Sequence, residues 1–399
     1  MSLRAFLALV LTTVLAVAAV VVMFTTQNTG PAAREPGTVM LPEMARQDAN
    51  IARIVATRGG EQTTIKRADG LGKPSRDAQW VVEELSNYPS FALLVSDVIT
   101  GVTNLQTIEG KTLRPDLYSK LAVEPPTASD ARSTRLEFFT ADNKKIGDII
   151  LGRTKSAMAG QESLYVRRPD EDRAWLAKGK AEAPTGKIGW VNNEVLVVDL
   201  PRIRSATLNT PAKGPRVHVF KTSRDERDFT IEGMPDDHEV KDIFGAEDVA
   251  RVVQQLSFED VRPADKFKID TTAKPWAEFV TFDGLKIDLW LQEADGKNWV
   301  ALRASAVPAE PAAAPPPSPA PAPAPEATAA PDGAPSPEAA AEPAEKPRDV
   351  AEEIKTINER VTPWVYAIPS YENGNLRKTL DDLIEKKPDD KAAPDSKAN

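Results

Sequence analysis

The chain has 399 residues, which is long enough for two domains that each bury a core, and a formal net charge of −9 at pH 7. It has no cysteine and only 2 histidines, which excludes disulfides and thiolate sites and argues against a multi-histidine metal centre. The acidic balance argues against a nucleic-acid partner, because such a partner selects a concentrated basic face.

The first 27 residues predict a membrane anchor. Residues 5–24 carry no charge, and a helix of that length, at about 1.5 Å per residue, spans roughly the hydrocarbon core of a bilayer. A cleaved signal peptide is the alternative, but its apolar core is shorter, about 7–15 residues, and ends at a small-x-small site. Arg4 favours a cytoplasmic N-terminus. We therefore expect a single-pass protein of the inner (cytoplasmic) membrane, tethered by residues 28–47, with the bulk of the chain periplasmic.

Residues 48–200 predict an α+β unit with mainly antiparallel strands. Alternating segments at 51–58, 63–67 and 80–82 come first. They precede an apolar stripe from Phe91 to Val102 at helical spacing, for which Ser90 is the expected N-cap. Two further hairpins follow, and their strands are expected at 135–140, 145–151, 163–168 and 173–178.

The same order of strands and helix recurs over residues 201–306 and 349–387. At a constant offset of 151, four positions in and just after the first helix match the second: Asp97, Val98, Val102 and Leu105 match Asp248, Val249, Val253 and Leu256. A closing helix is expected over 375–384. The sequence therefore predicts two tandem, structurally similar strand-rich repeats. Two unrelated α+β domains remain the alternative.

Residues 307–348 form a Pro/Ala-rich insert. Between 308 and 347 the chain has 14 Pro and 15 Ala, a composition that cannot bury enough apolar surface to offset its ordering entropy. The insert falls between two segments, 298–304 and 363–368, that should form a hairpin, so we expect a disordered, solvated loop. The tail, 388–399, is also expected to be disordered.

No catalytic or nucleotide-binding string occurs in the sequence: GxSxG, HExxH, GxxxxGK[ST] and GxGxxG are all absent. The densest acidic group, Asp236 to Glu239 with His238, has no second set of ligands, so it predicts a solvated turn rather than a cation site. We therefore expect no catalytic residue, no cofactor, no metal and no nucleotide binding.

Three aromatic residues are candidate partner contacts. Trp290 shares the polar face of a predicted strand with Lys286 and Asp288, so it either packs beneath the helix of its own repeat or marks a partner surface. Tyr366 and Tyr371 flank Pro369 near the insert and could form a second contact site. Core packing is the alternative for both tyrosines.

Taken together, the order of these segments resembles a bacterial family known as domain of unknown function 4340, over roughly residues 50–390. The residues that carry the resemblance are Trp80, Asn87–Pro89, Lys111–Leu113, Tyr118, Leu121–Pro125, Ile150–Gly152, Leu164–Arg167 and Trp364–Tyr366. The resemblance implies a membrane-anchored envelope protein of the kind found beside ABC-type transporters such as the gliding-motility auxiliary system. The family has no established activity, so no functional residues are carried over.

The expected function is therefore non-enzymatic. We expect an auxiliary partner- or substrate-binding component of an ABC-type transport system, in contact with permease or auxiliary subunits. Two alternatives remain: an envelope hydrolase that uses paired carboxylates on glycan or peptide, and a structural tether within the cell envelope.

Overall fold

The computed structural model describes residues 36–71, 73–155, 162–209, 215–308 and 349–387. The predicted anchor, the first part of the tether, nearly all of the Pro/Ala-rich insert and the tail lie outside these ranges. Within them, no helix is both long and apolar enough to cross a membrane. The chain divides into two compact units, one up to Asn193 and one from Glu194.

The first unit is built on a nine-stranded sheet in which every neighbouring pair is antiparallel. Its strands are β1 (Ile51–Arg58), β2 (Glu61–Arg67), β3 (Trp80–Val82), β4 (Tyr88–Pro89), β5 (Gln106–Gly110), β6 (Thr134–Thr140), β7 (Lys145–Lys155), β8 (Ser163–Arg167) and β9 (Ala174–Lys178). The helices are α1 (Pro42–Arg46), α2 (Ala92–Thr103) and α3 (Tyr118–Leu121). The spatial order is β4-β3-β2-β1-β6-β7-β8-β9-β5.

The second unit has an eight-stranded main sheet and two short ribbons. Its strands are β10 (Glu194–Leu196), β11 (Ile203–Leu208), β12 (Val217–Phe220), β13 (Thr230–Ile231), β14 (His238–Val240), β15 (Leu256–Ser257), β16 (Asp260–Pro263), β17 (Ala277–Thr281), β18 (Leu285–Ala294), β19 (Lys297–Ala306), β20 (Trp364–Ile368) and β21 (Ile384–Lys386). The helices are α4 (Gly245–Arg251), α5 (Val350–Val361), α6 (Ser370–Leu376) and α7 (Leu380–Leu383). The main sheet runs β13-β12-β11-β17-β18-β19-β20-β16, and the ribbons are β10-β15 and β14-β21.

The predicted fold class, a strand-rich α+β protein with mainly antiparallel sheets, is confirmed. The two main sheets have the same strand order once β4 is set aside, and α2 and α4 stand at the same point of that order. The division between the units differs from the predicted one at residues 200/201. Glu194–Leu196 pairs with Leu256–Ser257, so this strand belongs to the second unit.

The helix stripe of the first unit is buried as expected, but its N-terminus differs from the prediction. Val95, Ile99 and Val102 are buried, whereas Phe91 is the N-cap residue and is exposed. The expected cap, Ser90, instead donates its hydroxyl to the carbonyl oxygen of Trp190 at 2.5 Å. Ser90 lies one position too early to cap α2, so its side chain fixes the chain before the helix.

The predicted closing helix over 375–384 is wrong. Helix α6 ends at Leu376, and a second helix starts after Thr379, whose side chain forms a capping box with Asp382. Ile384 then leaves the helix and pairs with Val240 in an antiparallel ribbon. A local capping signal therefore overrides the apolar spacing that suggested one continuous helix.

Helix α5 covers a free edge of the second sheet. Strand β20 pairs with only the first part of β19, over residues 298–300. Further along β19, the Asn358 side chain donates to the Ala304 carbonyl oxygen and accepts from the Ala304 N–H, both at 2.9 Å. This amide takes the place of a neighbouring strand, which protects an edge that would otherwise expose unpaired backbone groups.

The chain leaves and re-enters this unit at one corner. Val307 donates its N–H to the carbonyl oxygen of Gly284 at 2.9 Å, which ties the end of β19 to the turn between β17 and β18. Arg202 joins Asp283 of that turn to Glu353 in the first turn of α5, at 3.0 and 2.8 Å. Residues 308 and 349 therefore both lie close to this turn.

Because both ends meet at one corner, we expect the second unit to tolerate excision of residues 309–348. With a short Gly/Ser linker between Pro308 and Asp349, closing the shorter loop costs less entropy, and the free energy of unfolding should rise by about 1–2 kcal/mol. Urea denaturation of the full chain, with and without the segment, measures this change. Loss of hydrogen-exchange protection in α5 after excision would contradict the expectation.

Candidate partner-binding surface

Trp290 lies in the core rather than at the surface. It is 6% exposed and packs with Trp299 and Val365 in a cluster on the face of the sheet opposite Leu289. Its indole N–H donates to the carbonyl oxygen of Ala273 at 2.8 Å. The element that covers Trp290 is therefore the segment after β16, not the helix of the repeat.

The two predicted tyrosines, Tyr366 and Tyr371, differ in exposure. Tyr366 is fully buried, with its ring 5.3 Å from that of Phe258, and its hydroxyl donates to the carbonyl oxygen of Arg360 at 3.3 Å. Tyr371 is 63% exposed, and its hydroxyl lies 3.3 Å from that of Ser257. Of the three predicted contact residues, only Tyr371 is accessible to a partner.

The second unit exposes four apolar side chains immediately before α4, which we call the apolar patch. Its members are Met234, Val240, Ile243 and Phe244, and Ile243 is 76% exposed. The backbone here is held by the β14–β21 ribbon and by Asp242, whose carboxylate accepts the N–H of Phe244 at 3.0 Å. The patch is therefore an ordered surface. Four exposed apolar side chains within residues 234–244 make this segment a candidate interaction site.

The apolar patch lies within an acidic segment. Residues 236–242 hold four carboxylates and one lysine. A hydrogen bond from His238 lowers the pKa of Asp237, so this carboxyl is ionised at neutral pH. Among the residues that the structure describes, no group of three His, Cys, Asp or Glu could hold a metal. The surface therefore favours a partner segment that is apolar and basic.

The first unit exposes apolar side chains at the matching place. Phe91 and Leu93, at the start of α2, are both more than half exposed. Phe91 was expected in the buried stripe, and Leu93 and the apolar patch were not singled out, because an apolar residue beside a helix usually belongs to the core. The sequence indicates the exposure of Ile243 and Phe244 only in that both residues fall outside the regular apolar stripe that begins at Val249.

Each sheet also brings two carboxylates together on its polar face. Glu137 faces Asp148 across β6 and β7, and Lys145 contacts both, at 3.2 and 2.6 Å. Burial opposes the ionisation of Asp148, but hydrogen bonds from Arg135 and Lys145 outweigh it and lower the pKa of this carboxyl. Asp148 is therefore held as a carboxylate within an ion network.

The second sheet repeats this arrangement. Glu278 faces Asp288 across β17 and β18, and Lys286 contacts both carboxylates at 2.9 Å. Burial opposes the ionisation of Glu278, yet hydrogen bonds from Lys286 and Asn209 lower its pKa. A general acid needs a raised pKa, which neither Asp148 nor Glu278 has.

Glu372 on α6 is the carboxyl group whose pKa is raised furthest among those described. Burial raises the pKa of this side chain to about 7, and a hydrogen bond with Tyr371 only partly opposes the change. A buried carboxyl with such a pKa can take up or release a proton near neutral pH. No pattern in the sequence predicts the raised pKa of Glu372, because its burial is decided by the packing of α6.

Residues 80–275 match the family described as Domain of unknown function (DUF4340). This part of the chain belongs to that family. No curated protein and no solved structure matches the chain significantly. The DUF4340 match extends from β3 to the segment before β17, and so includes α2, α4 and the apolar patch.

Proposed function

We propose that this DUF4340 protein is a non-enzymatic envelope protein that binds a partner or substrate for an ABC-type transport system. The observation that carries the proposal is the apolar patch, where Ile243 and Phe244 are exposed on an ordered, acidic surface. Exposed apolar groups are costly to keep in water unless a partner covers them. The partner surface is expected to be apolar with basic residues, on a permease or auxiliary subunit.

The location belongs to the same proposal. Residues 5–24 would anchor the protein in the inner membrane, with the N-terminus in the cytoplasm and both units on the periplasmic side. The family membership supports this location only through the resemblance to membrane-anchored envelope proteins. The partner would then be met at or near the outer face of that membrane.

We also infer that the two units are tandem copies. The shared strand order supports this inference, as do the matching acid–lysine–acid contacts of the two sheets. A cation also lies over the aromatic ring of the third strand region in both units. Arg67 lies 5.0 Å from the ring of Trp80, and Lys221 lies 4.4 Å from that of Phe229.

The hydrolase alternative has less support. Retaining and inverting glycosidases use two carboxyl groups, one of which keeps a proton at neutral pH. The facing pairs Glu137–Asp148 and Glu278–Asp288 are each neutralised by a lysine, which suits a structural ion network. Glu372 has a pKa in the required range, but its side chain is hydrogen-bonded with Tyr371 rather than with a second carboxyl.

Site-specific photocrosslinking in intact membranes tests the proposal. A photoreactive amino acid in place of Ile243 should capture a transporter permease or auxiliary subunit, because this side chain is the most exposed member of the apolar patch. The same probe at Lys266, an exposed polar position of the same unit, is the control and should capture little. Equal capture at both positions, or none at Ile243 in well-expressed protein, would contradict the proposal.

A further inference from the structure

The second unit contains a pocket on the face of its main sheet that carries Trp290. It has a volume of about 250 Å³. Strand β19 contributes Ala301 and Arg303 to its lining. The segment 264–271 after β16 and the junction between α5 and β20, at 361–365, border it on other sides. At about 30 Å³ for each water-sized group, the pocket holds roughly eight such groups, which is the size of a small organic molecule.

The lining of this pocket combines apolar surface with two cations. Ile269 and Val365 are aliphatic, and Trp364 adds an aromatic ring. Lys268 and Arg303 bring positive charge, and none of the described residues that line the pocket is acidic. A small ligand that fits this lining has an anionic group for the cations and an apolar body for the walls.

The two cations are not neutralised by the protein within the described residues. Arg303 lies 5.7 Å from the ring of Trp290, and its guanidinium forms no ion pair or hydrogen bond with a described residue. Asp288 faces Arg303 across β18 and β19, but its carboxylate contacts Lys286 at 2.9 Å. The ammonium group of Lys268 is likewise without an ion pair in the described part of the chain. The N–H donors of both side chains are therefore available to a ligand.

The first unit closes the corresponding place with a side chain of its own. Two residues beyond the aspartate of the acid–lysine–acid contact, Ile150 faces Arg167 across β7 and β8. The same step in the second unit leads to Trp290, which faces Ala301. Arg167 is buried, and its guanidinium donates to the carbonyl oxygen of Val123 at 3.1 Å. Ala301 has no such group, so space remains beside it as part of the pocket.

We propose that this pocket binds a small organic anion, namely a carboxylate on a compact apolar body. Arg303 and Lys268 bind the carboxylate, since a guanidinium presents parallel N–H groups that match its two oxygens. The apolar body lies against Ile269 and Val365, beside Trp364. The pocket is separate from the apolar patch, and the inference does not rest on a transporter partner.

Fluorine NMR of para-fluorobenzoate with the full-length protein tests the site. This probe carries a carboxylate on a flat apolar ring. Its signal should broaden on binding, with a Kd on the order of 1 mM, the weak affinity expected for so small a ligand. The matching amide, para-fluorobenzamide, has nearly the same shape without the charge and should bind at least about tenfold more weakly.

Substitutions of the cations make the test specific to the pocket. Arg303→Met should weaken the binding of para-fluorobenzoate about tenfold, and Arg303→Lys, which keeps the charge but not the paired N–H groups, should have a smaller effect. Lys268→Met should weaken it a few-fold, since a lone exposed ammonium group contributes less. Lys266→Met changes an exposed lysine outside the pocket and should leave the Kd unchanged. Arg303 and Lys268 are both exposed, so these variants are expected to fold.

Three results would overturn the proposal. They are the absence of binding, equal binding of the benzoate and the benzamide, and binding that is unchanged when Arg303→Met and Lys268→Met are combined. An equal loss with Lys266→Met would also overturn it, because diffuse surface charge rather than the pocket would then hold the anion. The Ile243 crosslink concerns another surface, so either result can fail alone.

Discussion

Replacing Arg202 by alanine is expected to lower the free energy of unfolding of the second unit by about 2–3 kcal/mol. Its guanidinium donates two hydrogen bonds to Glu353, at 2.9 and 2.8 Å, and one to Asp283 at 3.0 Å. Hydrogen bonding to Glu353 raises the pKa of Arg202 despite its burial. The loss stays below that of a fully buried pair because Glu353 and Asp283 are 24% and 22% exposed and keep some contact with water.

Urea denaturation of the full chain measures this change, and hydrogen exchange in α5 locates it. Arg216→Ala is the matched control, because Arg216 forms an equally short ion pair with Glu232 at 2.9 Å but at an exposed position. We expect a change of no more than about 0.5 kcal/mol there. If the two substitutions cost the same, the corner that holds both ends of the insert does not depend on Arg202.

Replacing Glu372 by glutamine is expected to stabilise the protein at alkaline pH, by up to about 3 kcal/mol near pH 8. Burial raises the pKa of this carboxyl in the folded protein to about 7 from an ordinary value of 4.5. Between these two values the folded state holds a proton that the unfolded state has released. The stability therefore falls as the pH rises through this window, and glutamine, which is neutral throughout, removes the fall.

Chemical denaturation from about pH 4 to about pH 8 checks the sign as well as the size. The wild-type protein and Glu372→Gln should differ little near pH 4 and progressively more up to about pH 7. Glu359→Gln, at an exposed position of α5, is the control and should run parallel to the wild type. If the profile of Glu372→Gln also ran parallel, Glu372 would not be the source of the pH dependence.

The hairpins could be predicted because their signals are local. Alternating apolar residues and a tight turn predict a hairpin with strands at 277–282 and 285–291. The structure pairs Ala277 with Leu289 in this hairpin. Trp290 was correctly placed on the face opposite Leu289. Its burial could not be predicted, because the covering segment comes from residues before β17.

The candidate surface illustrates the same limit. The sequence offered Tyr366 and Tyr371 as equivalent candidates, yet one is buried against Phe258 and the other is exposed. Ile243 and Phe244 were not proposed at all, since their exposure depends on how β14 pairs with β21. The prediction of one closing helix was wrong because the cap at Thr379 and the pairing of Ile384 with Val240 outweigh the helical spacing of the apolar residues.

The 399 residues and their composition determined much by themselves. The order of strands and helices, the α+β class, the unusual insert and the family all follow from patterns within short stretches, because backbone periodicity and turn chemistry act locally. Tertiary structure alone decided which faces are covered, which carboxylates meet a lysine and which keep a proton. Those outcomes depend on groups far apart in the chain, such as Arg202 with Glu353 and Lys378 with Asp248, whose proximity no local pattern encodes.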